Sequence, residues 1–363
     1  MKKVLIITNL PTPYKVDFYS ELGKYCDLTV IFEGKRPTDL VFNWNDDDIT
    51  TFKPIYLSYI LNEKKIHKNI LKYFDNNKYD TIVLSCYYTY TQTFALLYMK
   101  LKGVKYYFET DGGMISYGEN NIIRLAKRFL IGGAKAYFSP SQVSDEYLIY
   151  YNASPNLIFR YPFTSLDSSD ILKEPLTTPE KKRLKDAHHI KYDKIIISIG
   201  QFIHRKGFDV LLESCKLIDK SVGIYVMGGS PTKQYLDIQK KLSLTNVHFV
   251  PFKSNKEVKE WLKMSNLFVL PTREDIWGLV INEAMANGLP VVTTDKCVAG
   301  IELIEDKECI VAVEDVDALY NIMNKIISDD EYSAKLSENN LIKIRDSNFQ
   351  NMAQSHLQVF NIK

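Results

Sequence analysis

The chain has 363 residues, 45% hydrophobic and 25% charged, with a formal net charge of +2. This is globular composition, too long for one compact core and too nearly neutral for bulk charge to imply a nucleic-acid partner. The five cysteines, Cys26, Cys86, Cys215, Cys297 and Cys309, are odd in number and lack a C-x-x-C pair, so they read as reduced thiols rather than a disulfide framework.

In chain order, KVLIIT at Lys3–Thr8 predicts a buried parallel strand, followed by a helix over Val16–Lys24 and a strand at Leu28–Phe32. Strands at Thr81–Leu84 and Tyr106–Phe108 flank a helix from Tyr90 to about Lys100. Then come a helix over Asn121–Phe129, a strand at Ala136–Ser139 and a helix over Val143–Tyr151. Strand, helix, strand at this spacing gives βαβ units and a parallel sheet. From Tyr161 to Thr178 periodicity fades among prolines and hydroxyl residues, and residues 166–190 read as a linker holding a short charged helix at Lys181–Asp186. A second series begins at KIIISIG. Its strands are Ile195–Ile199, Gly223–Met227, Val247–Val250, Leu267–Leu270 and Val291–Thr294. Its helices lie near Val210–Leu217, Thr232–Leu242, Glu257–Met264 and Gly278–Ala286, and the tail Tyr332–Phe360 is helical. The expected organisation is an α/β chain of two Rossmann-like domains, 1–165 and 191–345. A C-terminal helix within 346–363 would return to the first domain. Ligands of such open sheets sit off the carboxyl ends of the strands, here facing an interdomain cleft.

The opening MKKVLIITNLP has too short an apolar run for a secretory leader, and no stretch reaches the roughly 18 apolar residues of a membrane span. The expected location is cytoplasmic. In Asn121–Lys135, Arg124, Lys127 and Arg128 recur at helical spacing beside a stripe of Ile122, Leu125, Ala126 and Phe129. Such a helix either rests on an anionic bilayer at the inner face of the membrane or, in the commoner arrangement, turns its apolar stripe into its own domain.

Chemistry concentrates after the strands. Following Leu267–Leu270, the loop carries Glu274 and Asp275, and Gly278 permits close backbone approach to a ligand. A helix to Ala286 then opens with free N–H groups suited to phosphate. Asp275 and Glu283 are carboxylate acceptors matched to sugar or ribose hydroxyls, whereas Glu274 reads as solvated. After Ile195–Ile199, Gly200 and Gln201 lead to Arg205-Lys206-Gly207, cations able to neutralise a departing pyrophosphate; the alternative is a solvated basic loop. Gly228-Gly229 follows the next strand, and Phe252 is a candidate wall for a base, though a lone aromatic is more often core. In the first domain, Tyr14 and Lys15 follow strand one. Glu109-Thr110-Asp111-Gly112 follows Tyr106–Phe108, with Asp111 favoured over Glu109 for positioning or deprotonating an acceptor hydroxyl.

The segment Asp275–Val292, with an acid, seven residues, Glu283 and then Ala-Met-Ala-Asn-Gly-Leu-Pro-Val-Val, resembles family 4 of the glycosyltransferases, which has the GT-B fold. Arg205 and Lys206 match the family's basic pair. Asp275 stands where Glu is commoner, and Gln201 where many members have Arg. The resemblance implies a retaining enzyme that moves a sugar from a nucleotide-sugar donor to a saccharide or lipid-linked saccharide, in bacterial surface polysaccharide synthesis, without metal or other cofactor. It implies that Glu283 holds the donor ribose, and that Asp275 and the backbone of Ile276, Trp277, Gly278 and Leu279 meet donor sugar and pyrophosphate. Gly200 and Gly228 are expected to complete the donor site, and Tyr14, Lys15, Glu109 and Gly112 to face the acceptor; the alternative for Tyr14 and Lys15 is a stiff structural loop. A nucleotide-sugar 2-epimerase of the same fold and a non-catalytic nucleotide-sugar sensor are the alternatives. The Asp46-Asp47-Asp48 string sits in a polar loop rather than after a strand, His188-His189 lacks spaced partners, and neither a Walker loop nor a G-x-G-x-x-G fingerprint is present.

Overall fold

A computed structural model describes residues 1–37, 50–74 and 78–361. The Asp46–Asp48 string lies outside them. The chain divides into two compact units, Met1–Ser165 with Ser347–Lys363, and Leu166–Asp346.

Unit 1 contains β1 (Lys3–Thr8), α1 (Pro13–Leu22), β2 (Asp27–Phe32), β3 (Lys53–Tyr56), β4 (Thr81–Leu84), α2 (Tyr90–Lys102) and β5 (Tyr107–Glu109). It continues through α3 (Asn121–Ile131), β6 (Ala136–Ser139), α4 (Gln142–Tyr150) and β7 (Ile158–Arg160). Among the described residues the sheet is parallel with order β3-β2-β1-β4-β5-β6-β7. The central strands are apolar on both faces because helices cover both faces. Leu5, Ile7, Ile31, Leu84, Leu96, Met99, Phe108 and Leu148 form part of one continuous core.

Unit 2 contains α5 (Thr178–Ala187), β8 (Lys194–Ile199), α6 (Phe208–Ser214), β9 (Val222–Met227), α7 (Lys233–Lys241), β10 (Val247–Val250) and α8 (Asn255–Met264). There follow β11 (Leu267–Leu270), α9 (Leu279–Ala286), β12 (Val291–Thr294), α10 (Val298–Leu303), β13 (Ile310–Val311), α11 (Val316–Ser328) and α12 (Asp330–Ile344). Its parallel sheet has the order β10-β9-β8-β11-β12-β13. Both sheets reverse their winding beside the first strand, and that reversal opens the crevice where open α/β sheets take ligands.

Two differences from the sequence reading, in residues 166–190 and in α3, have local causes. Residues 166–190 are not a free linker: Leu172 N–H donates to Ala286 O at 2.9 Å, Lys259 pairs with Asp170 at 2.5 Å, and Lys181 Nζ donates to Ser265 O at 2.8 Å. These short polar contacts tie the segment to unit 2 without leaving an apolar period to read. The last helix, α13 (Phe349–Phe360), belongs to unit 1. There Thr164 Oγ1 donates to Ser347 O at 3.0 Å and Lys2 Nζ donates to Phe360 O at 2.8 Å. Finally, α3 is turned opposite to the common arrangement: Ile122, Leu125 and Phe129 are exposed, whereas Arg124 and Lys127 are partly covered.

Candidate functional site

Unit 2 builds its site from the loops after β8 and β11, the two strands on either side of the winding reversal. After β8 the chain turns through a single 3-10 turn, His204–Lys206, and Phe202 anchors it by edge contacts to Phe208 and Phe249, with ring centroids 5.4 and 5.6 Å away. After β11 the loop is pinned to the segment following β12: Asp275 N–H donates to Lys296 O at 2.8 Å, and Val298 N–H donates to Asp275 O at 3.1 Å. These two fixed loops bring the Lys206 ammonium to 2.6 Å from Asp275 Oδ2 and the Arg205 guanidinium to 3.6 Å from the same atom. Lys206 and Asp275 are largely buried, whereas Arg205 is about half exposed. A second bond from Arg205 to Glu274 O, at 2.7 Å, holds its side chain along the loop.

Arg273 locks this arrangement. Its guanidinium donates twice to the Asp209 carboxylate, at 2.9 and 2.8 Å, and also to His204 O at 2.7 Å and Glu314 at 2.7 Å. Asp209 is held below the ordinary carboxylate range, the hydrogen bonds and charge of Arg273 overcoming the cost of burial. Arg273 N–H and Thr272 Oγ1 both donate to Arg205 O, at 2.8 and 2.9 Å. Sequence reading missed Arg273, Asp209, Thr272 and Phe202. An arginine three residues after the strand was the one visible signal, and its partner 64 positions away is set by the fold.

The glycines have definite steric duties. Gly228 has φ +147°, and a Cβ there would sit 1.9 Å from Gly200 O, so the β9 loop closes directly onto the β8 loop. Gly278 has φ +98°, and a Cβ there would lie 2.9 Å from Cys297 Sγ. Its backbone leads into α9, whose first residue is Leu279 and whose Glu283 is one helical turn later, half-buried on the same face. Trp277 points inward: its ring is buried, its Nε1 donates to Asn282 at 3.0 Å, and its carbonyl accepts from Ala299 N–H at 2.9 Å. The Trp277 ring is thus withdrawn from the surface, whereas the Ile276 side chain is exposed. Phe252 is also exposed rather than core, with its ring edge against Gly229. The structure thus groups Gly200, Arg205, Lys206, Gly228, Phe252 and Asp275 through the β8, β9, β10 and β11 loops. Gly278, Leu279 and Glu283 continue from the last of these.

Unit 1 gathers a second cluster after β1, β4 and β5. Tyr14 OH donates to Asp111 Oδ2 at 3.0 Å, and Lys15 Nζ lies 3.6 Å from the same oxygen. Lys15 also donates to Thr8 Oγ1 and Asn9 Oδ1, at 2.9 and 3.1 Å. Burial raises the Asp111 carboxyl above its ordinary value; Lys15 opposes the shift, Glu109 adds to it, and the bond from Tyr14 reduces it. Gly112 lies beside it, its carbonyl accepting from Thr110 Oγ1 at 2.5 Å. Glu109, expected at the acceptor, is buried instead: its carboxylate lies 3.1 Å from His356 Nε2 of α13. The strand ends at Glu109, so its alternation no longer fixes Asp111, which the following loop carries to Tyr14 and Lys15. Cys86 faces this region, but burial pushes its thiol up to about 12, so it stays protonated. Among the described residues no group of three or more His, Cys, Asp or Glu is arranged to hold a metal.

The family model "Glycosyl transferases group 1" matches residues 180–341. The chain is 27% identical over 179 residues to the capsular polysaccharide biosynthesis glycosyltransferase CapM of Staphylococcus aureus, covering 47% of each. It is 29% identical over 108 residues to the lipopolysaccharide glucosyltransferase WaaG of Escherichia coli, covering 28% of each. The chain thus spans less than half the length of these curated relatives. A crystal structure of Anabaena HepE in complex with UDP and glucose superimposes with TM-score 0.76 at 14% identity, covering 99% of this chain and 100% of that one. The two parallel sheets are those of the GT-B fold, and residues 180–341 of unit 2 carry the pattern of the glycosyl transferases group 1 family.

Proposed function

We propose that this chain moves a sugar from a nucleotide-sugar donor, held by unit 2, to a saccharide or lipid-linked saccharide acceptor received by unit 1, with retention of anomeric configuration. The observation that carries the reading is Lys206 and Arg205 converging on Asp275 at the winding reversal of unit 2, beside the opening of α9. A departing nucleoside diphosphate gathers negative charge on its phosphate oxygens. Fixed cations and free backbone N–H groups stabilise that charge without reorganising. Glu283 accepts hydrogen bonds from the donor ribose, and Asp275 engages a donor-sugar hydroxyl while keeping Lys206 in place. In unit 1, Asp111 orients the acceptor hydroxyl, whose oxygen attacks the anomeric carbon on the face that the phosphate leaves, its proton passing to the departing phosphate oxygen as the bond to that oxygen breaks. No nucleophile from the protein and no metal is required.

We infer that the acceptor belongs to bacterial surface polysaccharide assembly at the inner face of the membrane; the names of relatives in capsule and lipopolysaccharide synthesis support the pathway part of this reading. A thermal-shift screen across UDP-, GDP- and dTDP-sugars, followed by transfer from the stabilising donor in labelled form, tests the proposal. A raised melting temperature and acceptor-dependent release of nucleoside diphosphate are expected. Absence of any stabilising nucleotide sugar, or conversion of donor to a new sugar without acceptor, would remove it.

A further inference from the structure

We propose that α3 and the adjoining end of α2 form a docking surface for an anionic lipid bilayer. Helix α3 is built inside out. Ile122, Leu125 and Phe129 recur at spacings of three and four and are 75%, 65% and 60% exposed, and Ala126 lies exposed between them. Leu101, at the end of α2, is 85% exposed. Lys100, one residue before it, places its ammonium 5.3 Å from the Phe129 ring centroid, so the two helix segments meet in one apolar patch. The opposite side of α3 carries polar contacts to its own unit: Lys127 pairs with Glu119 at 2.7 Å, and Arg124 Nη1 lies 3.4 Å from Tyr150 OH. A helix that only packed on its domain would be rotated by half a turn.

Charge identifies the occupant. Between Glu109 and Asp145 the sole acids are Asp111 and Glu119. Asp111 is committed to Tyr14 and Lys15, and Glu119 is covered and neutralised by Lys127. The rim of the patch is therefore cationic: Arg128 and Lys102 are exposed, and Lys100 is half-exposed. An apolar stripe inside a rim of cations suits a helix lying flat in the headgroup region, its apolar residues among acyl chains and its cations on lipid phosphates. A second copy of the same face would set these cations against one another. The helix is about 16 Å long, enough to seat the patch and too short to span a bilayer.

The test is co-sedimentation of the full chain with vesicles of phosphatidylglycerol and phosphatidylcholine, against phosphatidylcholine alone, at low and high salt. The parent should bind the anionic vesicles, lose about tenfold in partitioning at high salt, and bind neutral vesicles weakly. Leu125→Ser/Phe129→Ser should bind at least tenfold more weakly while keeping its melting temperature and its response to nucleotide sugar, since both positions are exposed. Lys102→Glu/Arg128→Glu should lose the preference for anionic lipid. A parent that ignores anionic vesicles, or a Leu125→Ser/Phe129→Ser variant that binds like the parent, overturns the proposal. So does sedimentation velocity without lipid showing a dimer that this variant abolishes, because the patch would then be covered by a second copy.

Discussion

Asp275 already holds Lys206 at 2.6 Å, so in the proposed donor site a diphosphate would meet cations whose positions are fixed in advance. Lys206→Ala should therefore lower kcat/KM by roughly 30- to 1,000-fold with the fold retained, and Glu283→Gln should do the same through the ribose. Near-normal kcat/KM with a saturable donor would remove either residue from the site. Arg273 acts through its neighbours. Lysine cannot reproduce its paired bonds to Asp209, so Arg273→Lys should loosen the His204–Lys206 turn and cost about 1–3 kcal/mol of stability. Donor KM should rise more than kcat falls, and steady-state kinetics with varied donor would show the reverse split if Arg273 touched the reacting atoms. Asp111 makes a pH prediction. Its folded-state value is raised, so the native chain holds the proton more tightly than the unfolded chain, and its contribution to stability falls as pH rises through that value. Asp111→Asn should thus leave the melting temperature at neutral pH unchanged or higher while depressing transfer. Tyr14→Phe removes a bond that stabilises the carboxylate and should move the acid limb of the kcat/KM profile upward. An unmoved limb would separate Asp111 from that titration.

At the scale of elements, the central strands could be placed from sequence because each is a short apolar run ending in turn residues. The strands β3, β7 and β13 went unread for a physical reason: they are edge strands of four, three and two residues, less buried than those inside the sheets. Helix α13 shows a different limit. Its polar His356 would be expected at the surface, yet it is fully buried, stacked on Phe138 at 4.2 Å between centroids and within 3.1 Å of Glu109. His356→Ala leaves the Glu109 carboxylate buried without that partner and opens a cavity beside Phe18 and Tyr161. It should destabilise unit 1 by about 3–5 kcal/mol, measurable by urea denaturation followed through unit 1 probes. A loss below about 1 kcal/mol would mean that water or a neighbour replaces the imidazole.

For the whole molecule, two units with separate cores give donor binding a local signature. Hydrogen exchange with a saturating nucleotide sugar should slow at residues 200–207 and 271–283, the loops proposed to hold the donor; slowing confined to unit 1 would move the donor elsewhere. Transfer should survive EDTA, since cations and helix N–H groups serve the phosphates; loss with chelator and recovery with Mn²⁺ would bring Asp46–Asp48 back into the chemistry. Sequence alone determined that there are two βαβ series, that Asp275–Val292 carries the family pattern, and that a basic pair follows the first strand of the second series. Each of these is local, written in periodicity, turn chemistry or spacing within a few residues. Tertiary structure decided what depends on partners far along the chain. It set Arg273 on Asp209, sent Glu109 to His356 while Asp111 went to Tyr14 and Lys15, and turned the apolar stripe of α3 outward. Helical periodicity fixes which side chains share a face, but only the packed neighbours fix which way that face looks.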